Sequence, residues 1–353
     1  MTADGAGPGR APTVHDVARA AGVSASTVSR ALHGRGYASP EVRAAVVEAA
    51  RSIGYVANAN ARSLRARTSQ AIGVLLSDLR NAYYAELAAG IEAELAGVGL
   101  HMMLVNDDGD VEKEIAAVAS FAALRVAGVI VTPVSERIVR ELTERGMPMV
   151  CADRRAGRRL TDVVMSDNRA GGRTLTSHLI ERGHRRIAIV LDEQRWSSGA
   201  GRLAGYYDAL SEAGIEPDDA IVRLTHRDAD AARDTTHELL RSHPDITAVV
   251  AINNVLAQGA FTALRTAGIR IGADVALAAF DEVAWMPMVQ PGVTTLDQRP
   301  FEIGRRAAAL LLRRIGADGV RATPVEDLVT PSLLVRQSTV ARSAKIGRGR
   351  QDG

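Results

Sequence analysis

The chain has 353 residues, 46% of them hydrophobic and 24% charged, a composition that suits two or three compact globular units and excludes a wholly disordered polypeptide. Its net charge of +2 hides an asymmetry, because nine arginines face four acidic residues through Gln70, whereas the remainder holds 34 basic residues against 37 acidic. A basic head on a near-neutral carrier points to a localised nucleic-acid contact rather than a diffusely sticky surface. No run of about 18 apolar residues occurs, and the opening MTADGAGPGRAP has no apolar stretch, so neither a membrane span nor export is expected and the location expected is cytoplasmic.

Residues 1–11 read as a disordered arm and residues 12–57 as a small helical domain. In TVHDVARAAGVSASTVSRALHG, Thr13 and Asp16 match a capping box, Gly22 supplies a turn, and Ser24 can cap a second helix. Val14, Val17, Ala18 and Ala21 share one face of the first helix, and Thr27, Val28, Ala31 and Leu32 one face of the second. A third helix follows Ser39 and Pro40, with Val42, Val46, Ala49 and Ile53 as its buried stripe. Three such helices form a helix-turn-helix unit whose second helix would meet the major groove. Ala25, Ser26, Ser29 and Arg30 are its candidate readers, with Thr13, Ser24 and Thr27 beside them as further candidate DNA contacts. Ser26 and Ser29 can bond bases or phosphates, Arg30 a guanine edge or the backbone, and Ala25 offers only a methyl group. The competing reading is a three-helix bundle that merely packs on the body.

Residues 58–69 read as a linker between head and body. Asn58 can cap a helix of about two turns in NANARSLRAR, too short to be stable without a partner.

From Gln70 to residue 340, apolar runs alternate with Ala/Leu-rich helical stretches. AIGVLL, HMMLV, AGVIVT and PMVCA predict buried parallel strands, with helices near 82–97, 111–125 and 135–145. The series is expected to restart after Asp162, with strands in RRIAIV, ITAVVA and DVALAAF, helices near 169–182, 201–213, 229–241 and 254–267, and a last helix over about Phe301–Ile315. Two α/β subdomains with a ligand cleft between them follow. The single Cys151 rules out an internal disulfide and reads as a buried thiol in a strand. No G-x-S-x-G, H-E-x-x-H, P-loop or dinucleotide fingerprint is present, so no catalysis and no cofactor are expected. His178 and His184 flank a helix end, where structural roles are expected rather than metal binding. The tail 341–353, ARSAKIGRGRQDG, carries no leucine heptads and reads as a frayed, disordered end, so no C-terminal coiled coil is expected.

The head quoted above, together with IGYVANANARSLR, resembles the lactose repressor (LacI/GalR) family of bacterial transcriptional regulators, and the likeness covers nearly all of Pro12 to Thr339. The body carries the same family's phrases: NAYY (81–84), VMSDNRAGG (164–172), GHRRIAIV (183–190), RLAGY (202–206), AFDEV (279–283) and LLVRQST (333–339). The resemblance implies a helix-turn-helix domain on a periplasmic-binding-protein-like body, acting as a homodimer on palindromic operator double-stranded DNA. It implies that 58–67 is a hinge helix in the minor groove, with Leu64 the side chain wedged between base steps and Asn58, Ala61 and Arg65 alongside it. Otherwise Leu64 belongs to an exposed linker. The family match places Asp78, Tyr83, Asp153, Arg202, Asn253 and Asp281 at or near the effector cleft. Arg202 and Asp281 offer a planar donor and a charged acceptor to a polyhydroxylated ligand, and Tyr84 and Trp285 are the available aromatic faces. Structural pairing of Arg202 and a core or lid role for Trp285 remain open. Ala57 stands where the family usually has proline, His33 where it has asparagine, and Asn254 where it has aspartate. The function implied is a repressor of a carbohydrate-utilisation operon released by a sugar. A nucleoside or base co-repressor and a small-molecule-binding protein without DNA function are the alternatives.

Overall fold

The computed structural model describes residues 12–33, 38–55, 69–157, 161–192, 196–316 and 323–340. The chain divides into two compact units, Met1–Ser69 and Gln70–Gly353.

In the first unit, α1 (Val14–Ala21), α2 (Ala25–His33) and α3 (Pro40–Ser52) share one small core of Val17, Ala18, Val28, Ala31, Val46, Ala49 and Ala50. The Asp16 carboxylate accepts both the Thr13 N–H at 2.9 Å and the Thr13 hydroxyl at 2.7 Å, which fixes the start of α1. The turn between α1 and α2 needs a left-handed residue and has Gly22 at φ 65°. Ser39 Oγ accepts the Val42 N–H and caps α3, with Pro40 in its first turn.

The second unit is built from two six-stranded sheets. Its elements are β1 (Ala71–Leu76), α4 (Ala82–Ala96), β2 (His101–Asn106), α5 (Val111–Ala123), β3 (Val129–Val131), α6 (Glu136–Glu144), β4 (Met149–Ala152) and β5 (Asp162–Ser166). Then come α7 (Asn168–Glu181), β6 (Ile187–Leu191), α8 (Ser197–Glu212), β7 (Val222–Leu224), α9 (Ala229–Ser242), β8 (Ala248–Ala251), α10 (Asn254–Thr266) and β9 (Ala276–Phe280). The chain ends with α11 (Trp285–Met288), β10 (Thr294–Asp297), α12 (Pro300–Gly316), β11 (Glu326–Val329) and β12 (Ser332–Leu334). The strand orders are β11-β5-β4-β3-β1-β2 and β12-β10-β9-β8-β6-β7, one pattern used twice. Every pairing is parallel except β10 with β12. Strands buried on both faces explain the unbroken apolar runs AIGVLL and IAIVL.

The restart expected after Asp162 falls later in the chain. Asp162–Ser166 is still a strand of the first sheet, held between β4 and β11, and Arg314 grips Asp162 with two hydrogen bonds of 2.6 Å. The chain passes to the second subdomain only at α7, returns with α12, whose Ile303, Ala307 and Leu311 join the core of the first, and crosses again between β11 and β12. Three short connections therefore join the subdomains. Helix pairs approach closely through glycine, two of them beside the joins between subdomains. A Cβ at Gly90 would meet the Phe301 carbonyl at 2.0 Å, and one at Gly172 would meet the Arg202 carbonyl at 2.2 Å. The second contact draws α7 against α8 and seats Arg202 beside Asn168.

Candidate DNA-contact and effector sites

On α2, Ser24, Ser26 and Arg30 are exposed, while Ala25, Thr27 and Ser29 are half-buried. Ser24 Oγ accepts the Thr27 N–H at 3.2 Å and lies 2.8 Å from the hydroxyls of both Ser26 and Thr27, so a chain of three hydroxyls runs across the start of the helix. Arg30 Nε donates to the Ser26 carbonyl at 3.3 Å and a terminal nitrogen to Thr27 Oγ1 at 3.4 Å, long bonds that leave most of its fork available. Ala25 leans on the core of the head, which turns its methyl group partly away from the exposed face. Thr13 spends its hydroxyl proton on Asp16. Asn58, Ala61, Leu64 and Arg65, like Ala57, lie outside the described residues, as do the arm 1–11 and the tail 341–353.

In the body, the C-terminal ends of both sheets face one narrow cleft, at the position where doubly wound sheets bind ligands. Of the candidate effector residues it brings together Tyr83, Tyr84, Asp153, Arg202, Asn253 and Asp281. Asp153 follows β4 and Asp281 follows β9, topologically equivalent strands, and both adopt left-handed backbone, with φ of 71° and 69°. Aspartate tolerates that region better than most side chains, and such conformations gather at ligand sites. Tyr83 donates to Asp153 Oδ1 at 2.8 Å and Tyr84 to Oδ2 at 3.3 Å, so both phenols serve the carboxylate, and burial and the Asp153 charge push both hydroxyls above their ordinary pKa. Asp281 accepts the Asn254 backbone N–H at 3.0 Å and the Gln298 amide; burial pushes its carboxyl up, against the opposing pull of Arg202. Arg202 is buried, donates from Nε to Asn168 Oδ1 at 2.8 Å and from a terminal nitrogen to the Ile252 carbonyl, and lies over the Phe280 ring with its carbon 4.5 Å from the centroid. Asn253 caps α10 through the Leu256 N–H and donates to Asp192 at 3.1 Å. No acidic residue pairs with Arg202 among the described residues, so its fork is positioned by neutral acceptors.

Two candidates stand elsewhere. Asp78 is engaged by the Arg80 backbone and side chain just before α4, and Trp285 packs edge-on against Phe261 at 5.7 Å, on the outer side of the second subdomain's core. Asn81, Arg154, Asp192, Trp196, Arg227 and Gln298 also line the cleft, and sequence reasoning does not single them out. Asp192 and Arg154 follow β6 and β4 closely, where the rule that ligands meet strand ends could have found them; Arg227, on the loop between β7 and α9, carries no local signal. Asn254 reaches across the cleft and donates to Asn81 Oδ1 at 2.7 Å.

His178 and His184 are tied to Thr339 at 2.8 Å and Thr247 at 3.2 Å, far from any metal-like grouping, and Cys151 is buried with its thiol pushed up to about 12. Among the described residues no set of three His, Cys, Asp or Glu side chains is placed to hold a metal, and no helix is long and apolar enough to cross a membrane. A larger hollow of about 420 Å³ beside Arg155, Thr161 and Glu326 borders segments outside the described residues and gathers few convergent polar groups.

Residues 13–58 match the bacterial regulatory proteins of the lacI family, and residues 69–335 match the periplasmic binding proteins and sugar binding domain of that family. The ribose operon repressor of Halalkalibacterium halodurans is 32% identical over 93% of this chain and 97% of its own length. A solved complex of the transcriptional regulator CelR with cellobiose is 30% identical, with a TM-score of 0.71, over 93% of this chain and 99% of that one. The lac repressor dimer bound to operator and the anti-inducer ONPF superposes with a TM-score of 0.84 at 26% identity, over 94% of this chain and all of that one. With both of its units matched in order and along nearly its whole length, the chain belongs to the LacI family of bacterial regulatory proteins.

Proposed function

We propose that this regulator is a homodimeric repressor of carbohydrate-use genes that binds a palindromic operator through α2 and the segment 58–67 and releases it when a sugar enters the cleft. The observation that carries this reading is the cleft itself. Asp153, Asn253 and Asp281 stand at the ends of strands from both sheets with Arg202 of α8 beside them, each held by hydrogen bonds and lining one space. A ligand touching both subdomains favours one relative orientation of two bodies joined by three short connections, which is how differential binding becomes a shift in population. The relatives named for a ribose operon and solved with cellobiose support a sugar, and the operator-bound lac repressor dimer supports the dimer and the operator.

The test is selection of sites from a random duplex DNA pool by the full-length protein, followed by challenge of the selected complex with a panel of sugars. Enrichment of a palindrome and its release by a sugar are expected. A selected site with no two-fold symmetry, or none, overturns the reading.

A further inference from the structure

The free space of the cleft is about 40 Å³, room for water, whereas a pocket that takes a small organic ligand holds about 300–1,000 Å³. Its walls do not yield one side chain at a time. Asp153 is fixed by Tyr83 and Tyr84, Asp281 by Asn254 and Gln298, and Arg202 by Asn168 and the Ile252 carbonyl, each within its own subdomain. Space for a polyol is therefore made by parting the two halves, and what parts is the set of contacts between them.

One part of that set is built in register. Arg154 and Arg155, which follow β4, meet Trp196 and Ser197, which open α8. The Arg154 guanidinium carbon stands 4.0 Å from the centroid of the Trp196 ring, and the Arg155 N–H donates to Ser197 Oγ at 3.1 Å. Each partner is held from its own side. Arg154 is only 1% exposed, gives a terminal nitrogen to Ser77 Oγ, and has the buried carboxylates of Asp107 and Glu114 acting on its charge. Trp196 carries Arg227 of its own subdomain over its ring at 4.6 Å. The turn that delivers Arg154 also delivers Asp153. The Arg154 N–H donates to the Ala152 carbonyl at 2.8 Å around Asp153 at φ 71°, a γ-turn of the rare, strained kind. Such a turn persists where its surroundings fix it on both sides, and here the tyrosines fix Asp153 while Ser77 and Trp196 fix Arg154. An effector that takes the Asp153 carboxylate acts on the residue directly bonded to Arg154.

We propose that the Arg154–Trp196 contact, with Arg155 on Ser197 beside it, is an internal clasp that competes with the effector: it holds the halves in the orientation that binds operator, and a polyol enters only as the clasp opens. Arg154 is thus a positioning residue that acts through Trp196. The inference rests on the reading of the cleft as the site of a sugar that releases the operator. The apparent affinity for effector is that of the open form scaled by the fraction of chains that are open, so weakening the clasp tightens effector binding. A side chain that merely supported the fold would do the opposite.

The experiment is calorimetric titration of the full-length chain and its variants with D-ribose, cellobiose, D-glucose and D-galactose, alongside binding to the operator selected from the random pool. Trp196→Leu breaks the clasp from one side, and Arg154→Lys, which keeps a charge opposite Asp107 and Glu114, weakens it from the other. These variants are expected to bind a sugar of the set about three- to tenfold more tightly than the parent, with operator affinity no higher than the parent's. In Arg155→Cys/Ser197→Cys a disulfide closes the clasp covalently; the oxidised chain is expected to keep operator binding and lose sugar binding, and reduction to restore it. The inference is overturned if neither single variant binds any of the four sugars more tightly than the parent, if the disulfide does not form, if the oxidised chain binds sugar as the reduced one does, or if it loses an operator that the reduced chain holds. Absence of any selected operator removes the regulator reading and leaves the sugar titrations to decide the clasp.

Discussion

Replacing Asn254 by aspartate exchanges one NH2 group for an oxygen at the point where the subdomains touch. Asn254 Nδ2 donates to Asn81 Oδ1 at 2.7 Å, and the same oxygen accepts the Tyr83 N–H at 3.0 Å that caps α4. The Asn81 amide therefore cannot turn its nitrogen toward residue 254 without uncapping the helix. In Asn254→Asp a carboxylate would face that carbonyl oxygen, in a buried position whose own backbone N–H is held by Asp281. The lost bond is worth about 1 kcal/mol and the unsatisfied, charged acceptor adds about 1–3 kcal/mol, so a loss of about 2–4 kcal/mol is expected at neutral pH.

The loss carries a sign in pH. Once protonated, the introduced carboxyl has an O–H with which to restore the bond to Asn81, so the folded state holds its proton more tightly than the unfolded chain, where the group titrates near the ordinary value of about 3.9. The folded pKa is thus raised, and the variant matches the parent best below about pH 4. Its deficit grows as pH rises through the folded pKa and is complete above it. Urea unfolding of parent and variant full-length chains at about pH 4.5 and about pH 8, compared as differences at each pH, reads this directly. A deficit equal at both values, or no deficit at the higher one, would refute the account of the cross-cleft bond.

Two further outcomes are expected. Gly172→Ala drives a methyl group to 2.2 Å from the Arg202 carbonyl, a backbone atom that cannot turn aside, so α7 and α8 must separate. A loss of at least about 2 kcal/mol in urea unfolding, with weakened effector binding as Arg202 leaves Asn168, is expected; parent-like stability and affinity would show that the helices do not meet there. His178 accepts from Arg182 at Nδ1 and so donates from Nε2 to Thr339; burial, then the Arg182 and His184 charges, push its imidazole down to about 4. Because the folded pKa is lowered, the unfolded chain takes up the proton first as pH falls from about 6.5, and stability present at neutral pH is lost toward about pH 4, by about 2–3 kcal/mol at most. A proton NMR titration placing the His178 midpoint near the ordinary value of about 6.5 would contradict the buried neutral ring.

What can be read from the sequence follows from where the physical signal is local. Strands such as AIGVLL and ALAAF announce themselves because both faces are buried. The edge strands β7, β11 and β12 are silent, since VRL, EDLV and SLL keep one side wet and carry no apolar run. Asp162–Ser166 reads as the start of the wrong half because its partners, β11 and Arg314, lie more than 150 residues away, and nothing in DVVMS records them. The cleft divides in the same way. Arg202 and Asp281 lie in phrases shared with the family, whereas the meeting of Arg154, Trp196 and Arg227 depends on three loops, one from the first subdomain and two from the second, and is visible only once both sheets are folded.

That division also bears on how the switch works. Asp153 is held by Tyr83 and Tyr84 of its own subdomain, and Asp281 by Asn254 and Gln298 of the other, so each half presents its acid rigidly without help from its neighbour. Among the described residues the direct polar contacts across the cleft are few. They include Asn81 with Asn254, Arg154 on Trp196, and the Arg155 N–H to Ser197 Oγ at 3.1 Å. Contacts of this kind contribute about 1 kcal/mol each, while driving a two-state equilibrium from about 1:99 to 99:1 takes about 5.5 kcal/mol of differential binding. Two or three charge-assisted bonds from one ligand to both halves supply that much, at about 1.5–3 kcal/mol apiece. The extensive cores stay intact in either orientation, and the small set of bonds across the cleft is what the effector has to outweigh.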